Sequence, residues 1–320
     1  MVKLNRILSC ILCVLFLAGC SAAPAMQQTT AAQQENFPYL FVDSTGAEVT
    51  VTKKPQKIAV LLSSLADVWV SAGGNVDITV GETVERGFAA DTAILVDDGA
   101  GKTINAELLI ASKPDLVLYS SELSGQIECA EMLKAAGIPA AGFCVDTFEE
   151  YLSLLKISTD LLGTPEYYEK NGTQVAQKVE ELISFANSQE EKPQILFVRA
   201  GSSAKYTKAK TAKNNFVCIM LDELGTENIA DQAPVLLEGL STEEILLADP
   251  DVILYSTMGD EENGAAYMQS VVSDPVWSTL SAVKEKRVYQ LPKELFQYKP
   301  NARWAEAYAY LIELLYGEIK

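Results

Sequence analysis

The sequence predicts an α/β protein of two related lobes, each built on a parallel sheet and joined by a helical segment. Three observations lead there. Short apolar runs alternate with segments of helical spacing, the pattern of parallel strands covered on both faces. The run Glu107-Leu-Leu-Ile-Ala-Ser-Lys-Pro114-Asp115-Leu-Val-Leu-Tyr119-Ser120 recurs without a gap as Glu243-Glu-Ile-Leu-Leu-Ala-Asp-Pro250-Asp251-Val-Ile-Leu-Tyr255-Ser256, so the second half echoes the first. Between them Phe148, Tyr151, Leu152, Leu155, Leu161 and Leu162 keep helical spacing, and after Gly163-Thr164-Pro165 a helical pattern resumes over 167–187.

The elements follow in order. Residues 1–19 place Lys3 and Arg6 ahead of an apolar run too short to span a ~30 Å hydrocarbon core, and read as a secretory signal. That run closes on Leu17-Ala-Gly-Cys20, which resembles the bacterial lipobox. Cys20 would then be acylated and hold the chain on the outer face of the cell membrane; cleavage and release is the alternative. Residues 20–36 make a polar tether. The N-terminal lobe is expected over 37–147, with a hairpin around Asp43-Ser-Thr-Gly46, strands at 58–62, 77–81, 115–120 and 138–145, and helices near 64–73, 105–112 and 125–136. One or two long helices connect the lobes over 148–190. The C-terminal lobe, 191–320, carries strands at 195–199, 251–256 and 287–291 and helices near 214–224, 265–272 and 302–316.

Composition narrows the function. A chain of 320 residues that is 48% apolar fills real cores, which excludes a disordered protein. The formal charge is −18, and loss of the signal removes two cations and no acid, which excludes nucleic acid and anionic surfaces as partners. There is no histidine, so the commonest general base is missing, no Ser-His or Cys-His pair exists, and neither an enzyme nor a resident metal or cofactor is expected. Cys129, Cys144 and Cys218 read as small buried hydrophobes and not as a disulfide framework. Gly99-Ala-Gly-Lys-Thr103 lacks the glycine that a phosphate loop needs at Val96, and Asp97-Asp98 and Asp260-Glu-Glu262, without calcium-loop spacing, read as solvated loops.

Asp43-Ser-Thr-Gly-Ala-Glu-Val, Pro55-Gln-Lys-Ile-Ala-Val, the two repeated runs, and Asp274-Pro-Val-Trp277 through Leu291-Pro292 together resemble the binding proteins of ABC importers for ferric siderophores, haem and cobalamin. The resemblance runs from Phe37 to the C-terminus. It implies two Rossmann-like lobes joined by a long rigid helix, with a ligand cleft between them. It also implies a monomer that captures a metal chelate, a ferric siderophore first, and delivers it to a permease dimer with its ATPase. A corrinoid or haem receptor, or a non-transport scaffold, are the alternatives. In the family a glutamate at each lobe tip meets permease arginines, and Glu107 and Glu243 match. Each follows a capping residue, Asn105 or Ser241, so the competing reading is a first-turn carboxylate that favours the helix dipole, with Glu244 closing a capping box on Ser241.

Ligands of open parallel sheets bind beyond the carboxyl ends of the strands. That selects Ser64, Arg86, Phe88 and Ser121 in the first lobe, and Arg199, Met258 and Tyr298 in the second. Arg199 opens a stretch bearing Lys205, Lys208, Lys210 and Lys213. On an acidic chain this suits an anionic ligand, Arg offering a fork for carboxylate or catecholate oxygen; a structural ion pair is the other reading. Tyr206, Trp69, Trp304, Phe88 and Tyr298 offer an aromatic wall, although Trp304 also has core spacing with Tyr308, Leu311 and Leu315. Arg303 either faces ligand or pairs with Glu306. A connector without a glycine-rich hinge predicts small closure.

Overall fold

The computed structural model describes residues 37–98 and 103–317. The expected signal, Cys20 and the tether lie outside the described residues, as does most of the Gly99–Thr103 run.

Strands β1 (Tyr39–Val42) and β2 (Glu48–Val51) form the expected hairpin. Its turn is organised by the buried Asp43, whose carboxylate accepts from the N–H of Thr45 at 2.9 Å, of Ala47 at 3.1 Å and, across to the main sheet, of Gly142 at 2.8 Å. Gly142 is required there, because a Cβ would stand 2.8 Å from the Tyr119 ring and 2.9 Å from Thr45.

The first lobe then alternates β3 (Ile58–Val60), α1 (Ser63–Ser71), β4 (Ile78–Thr79), α2 (Gly81–Glu85), β5 (Ile94–Leu95), α3 (Ala106–Ala111), β6 (Leu116–Ser120), α4 (Ser124–Ala135) and β7 (Ala140–Phe143). The strands pair in the order β5-β4-β3-β6-β7, all parallel. Both central strands are wholly buried, as a sheet covered on two faces requires.

The connector takes the two-helix form. Helix α5 (Phe148–Leu162), started by a capping box between Thr147 and Glu150, ends at Gly163 with φ 69°. Then α6 (Pro165–Tyr168) and a π-helical turn lead into α7 (Gln174–Asn187). The bend is pinned to α1 by Thr164 Oγ1, which donates to the Ala72 carbonyl at 2.7 Å, and by Asn171 Nδ2, which donates to that of Ser71 at 2.7 Å.

The second lobe repeats the plan with β8 (Gln194–Ala200), β9 (Lys208–Ala209), α8 (Phe216–Glu223), β10 (Glu227–Asn228), α9 (Thr242–Ala248), β11 (Val252–Thr257), α10 (Glu261–Val272), α11 (Ser281–Lys284), β12 (Val288–Gln290), α12 (Lys293–Phe296) and α13 (Trp304–Tyr316). Its order is β10-β8-β11-β12, parallel, with β9 antiparallel on the end of β8. Asp260-Glu-Glu262 is no loop: Asp260 caps α10 by accepting from the Asn263 N–H at 2.8 Å, and the two glutamates form its first turn.

The internal repeat has a structural cause. Asp115 accepts from the N–H of Gln56 at 2.9 Å and Lys57 at 3.0 Å, and Asp251 from that of Gln194 at 2.8 Å, so each Pro-Asp ties the start of one central strand to the start of its neighbour. Lys113 and Asp249, equivalent in the repeat, both take positive φ, 51° and 44°.

Candidate functional site

The two sheets present matching crevices at which strand order reverses, between β3 and β6 in the first lobe and between β8 and β11 in the second. Ligands of open α/β sheets seat at such switch points.

In the first lobe the crevice is closed. Gln126, fully buried on α4, accepts from the Ser120 N–H at 2.8 Å and donates to the Leu61 carbonyl at 2.7 Å, bridging the two strand ends. Arg86 is also committed. Its Nη1 donates to Ser63 Oγ at 2.9 Å, Ser63 donates to Glu82 at 2.6 Å, and the guanidinium carbon lies 3.7 Å from the Tyr298 ring centroid and 4.9 Å from that of Phe88. Ser64 accepts through its carbonyl from Asn301 Nδ2 at 2.9 Å, and half-buried Ser121 follows β6 directly.

The second crevice is open to a partner. Register sets Arg199 of β8 beside Ser256 of β11 and Lys208 of β9, so the three side chains share one sheet face. Arg199 is half-buried, and among the described residues no carboxylate or hydrogen-bond acceptor meets its guanidinium; burial alone lowers its pKa. The Ser256 Oγ is buried and likewise without a partner. A buried hydroxyl left unpaired costs free energy, and the half-buried guanidinium beside it is free to meet an incoming ligand. Lys208 has only a loose contact, 3.5 Å from the exposed Glu238. Its ionic partner comes from a distant turn that the local run of lysines does not reveal.

The loop after β8 folds back tightly. Gly201 is needed because a Cβ would lie 2.4 Å from that of Tyr206, and Thr207 Oγ1 closes the turn on the carbonyls of Gly201 at 3.2 Å and Ser203 at 2.9 Å. Tyr206 is thereby left 51% exposed at its tip. Met258, also exposed, is fixed through its N–H to the Ala200 carbonyl at 2.8 Å, so the ends of β8 and β11 move as a unit.

Several expectations need correction. Arg303 makes a two-pronged pair with Glu306, 2.7 Å at each oxygen, which takes up its fork. Trp69 belongs to the core, with Nε1 donating to Asn75, and so leaves the aromatic wall. Trp304 is 1% exposed between Phe148, Phe216 and Tyr308, although its Nε1 has no acceptor. Cys144 is half-buried at the cleft edge, unlike Cys129 and Cys218. It lies within 4.8 Å of Glu122 and Asp146, and burial together with those charges pushes its thiol up to about 12. The capping box expected at Ser241 is absent, whereas Asn105 does cap α3, accepting from the Leu108 N–H at 3.0 Å. Glu107 and Glu243 both stand exposed in first turns, on equivalent helices.

Residues 58–295, spanning both sheets, match the family model described as periplasmic binding protein. The chain belongs to that family. It is a family of substrate-binding proteins of ABC transporters and not an enzyme class. Over 318 residues the chain is 28% identical to the uncharacterized ABC transporter substrate-binding lipoprotein YvrC of Bacillus subtilis, covering 96% of this chain and 95% of that one. A shorter match, 25% over 158 residues, covers 49% of this chain and 56% of the vitamin B12-binding protein of Pectobacterium carotovorum. In fold it is similar to a periplasmic solute binding protein from Veillonella parvula, with TM-score 0.67, 22% identity and coverage of 87% and 86%. No helix among the described residues is long and apolar enough to cross a membrane.

Proposed function

We propose that this periplasmic binding protein captures an anionic metal chelate, a ferric siderophore before a corrinoid or haem, and delivers it to an ABC permease. The observation that carries the reading is the unpaired Arg199 beside the unpaired Ser256 hydroxyl at the second lobe's switch point. A guanidinium fork and a hydroxyl suit the carboxylate or catecholate oxygens of a ferric chelate. Tyr206 and Met258 supply apolar surface around it, and Lys208 adds charge; the Tyr298 ring is already covered by the Arg86 guanidinium. Arg86, held between Ser63 and the Tyr298 ring, and Arg303, paired with Glu306, are left out as cargo contacts in this reading.

The partial likeness to a vitamin B12-binding protein favours a corrinoid as second reading. A corrinoid needs chiefly aromatic surface, which leaves Arg199 without a partner. Titration of the chain from Ser21 with ferric siderophores, corrinoids and haem, followed by tryptophan fluorescence and chelate absorbance, separates them. Tight binding of a ferric siderophore supports the first reading; binding of a corrinoid alone replaces it with the second.

Cys20 would hold the receptor to the membrane through lipid, and Glu107 and Glu243 would meet the permease from equivalent helices. Glu107→Lys with Glu243→Lys is expected to abolish uptake and leave cargo affinity unchanged; unimpaired uptake would contradict docking through these residues.

A further inference from the structure

We infer that Arg86 and Tyr298 form a cross-lobe strut that sets the gap of the cleft before cargo arrives, so that both are positioning residues and neither is a cargo ligand. Arg86 follows α2 in the first lobe and Tyr298 follows α12 in the second. The Arg86 side chain is only 10% exposed, and its guanidinium carbon sits 3.7 Å from the Tyr298 ring centroid. Glu294 approaches Nη2 no closer than 3.9 Å, and Nε, buried, has no acceptor. The ring face, not a carboxylate, is therefore what holds the guanidinium across the gap, and a cation on an aromatic face gains strength where water is excluded. On its own side Arg86 is fixed by Ser63, which is fixed by Glu82.

The same segment of the second lobe reaches the first at two further points. Lys299 pairs with Asp146 beyond β7, and Asn301 Nδ2 donates at 2.9 Å both to the Ser64 carbonyl and to Asp67 on α1. Asn301 is fully buried with φ 49°, a left-handed conformation that surrounding contacts must over-determine. Residues 294–301 thus grip the first lobe at three places, and opening the cleft breaks them together. These contacts lie within the chain itself and hold whichever cargo is carried.

The test needs no cargo. The chain from Ser21, which keeps the whole compact unit Glu35–Lys320, carries Cys144→Ser and spin labels at Glu131→Cys and Glu285→Cys, one exposed site on each lobe. Electron–electron double resonance should give one narrow distance. Tyr298→Ala should add a longer-distance population, as should Arg86→Lys, which keeps the charge and loses the planar face. Tyr298→Phe, which keeps the ring, should restore the narrow distance. An unchanged narrow distribution in folded Tyr298→Ala overturns the strut, as does Tyr298→Phe opening as far as Tyr298→Ala. If Tyr298→Ala does not fold, Arg86→Lys decides by the same criterion. Failure of the cargo reading appears only in the titration, so the two results remain separate.

Discussion

The two lobes share a parallel-sheet plan and one repeated sequence, yet their switch-point crevices are finished in different ways. In the first, Gln126 bridges the strand ends and Arg86 is held by Ser63 and the Tyr298 ring, so the chain itself occupies the cleft edge. In the second, half-buried Arg199 has no partner among the described residues, and the buried Ser256 hydroxyl beside it has none either. A duplicated lobe can therefore keep one crevice for stability and leave the other for binding. The second lobe bears the cost of an unpaired cation, and function is the reason for tolerating it.

The sharpest way to break this contrast is to exchange the costs. Arg199→Met should weaken chelate binding by about 100-fold, ~2.7 kcal/mol, since a charged hydrogen-bonding partner is lost. It should also raise the thermal midpoint slightly, because a half-buried charge without a partner is removed. Calorimetry showing lower stability would mean that Arg199 has an internal partner in solution. In the first lobe Gln126→Ala should do the reverse. It strands the Ser120 N–H and Leu61 carbonyl, costing about 2–4 kcal/mol, and leaves binding unchanged, as denaturant melts and titration would report.

The capping difference gives a smaller contrast. Asn105→Ala should cost about 1 kcal/mol, while Ser241→Ala, whose hydroxyl caps nothing, should stay within about 0.5 kcal/mol. Equal losses in melts of the two variants would show that Ser241 caps its helix after all.

The smallest effect is on pH. Burial pushes the Asp67 carboxyl above its ordinary 3.8, against the lowering influence of the Asn301 hydrogen bond, Arg86, Ser71 and Arg303. A folded-state pKa above the unfolded one means that the native state binds the proton more readily. Stability then falls as pH rises from the unfolded value through the raised one. Asp67→Asn should therefore raise stability slightly at neutral pH and flatten that part of the profile, as melts between acid and neutral pH would reveal.

The fold was legible because strong periodicity and the repeated Pro-Asp run are local signals. The strands Ile94–Leu95, Lys208–Ala209 and Glu227–Asn228 were not, since two residues carry no periodicity. At the site, Arg199 could be read because it ends an apolar strand. The commitments of Arg86 and Asp146 could not, since their partners Tyr298 and Lys299 arrive from the far end of the chain. Arg303 with Glu306 was visible as helical neighbours, and only the structure chooses between pairing and ligand. Gln126 gave no signal at all, because a glutamine on an amphipathic helix looks like surface until tertiary contacts bury it.

The most direct test is parallel titration of wild type and Arg199→Gln with ferric carboxylate and ferric catecholate siderophores at matched ionic strength. The account predicts tight binding of at least one chelate to wild type and a loss of about 100-fold in the variant, ~2.7 kcal/mol, with the fold intact. Equal affinity of the two proteins would contradict it and move the cargo contact away from the second lobe's crevice.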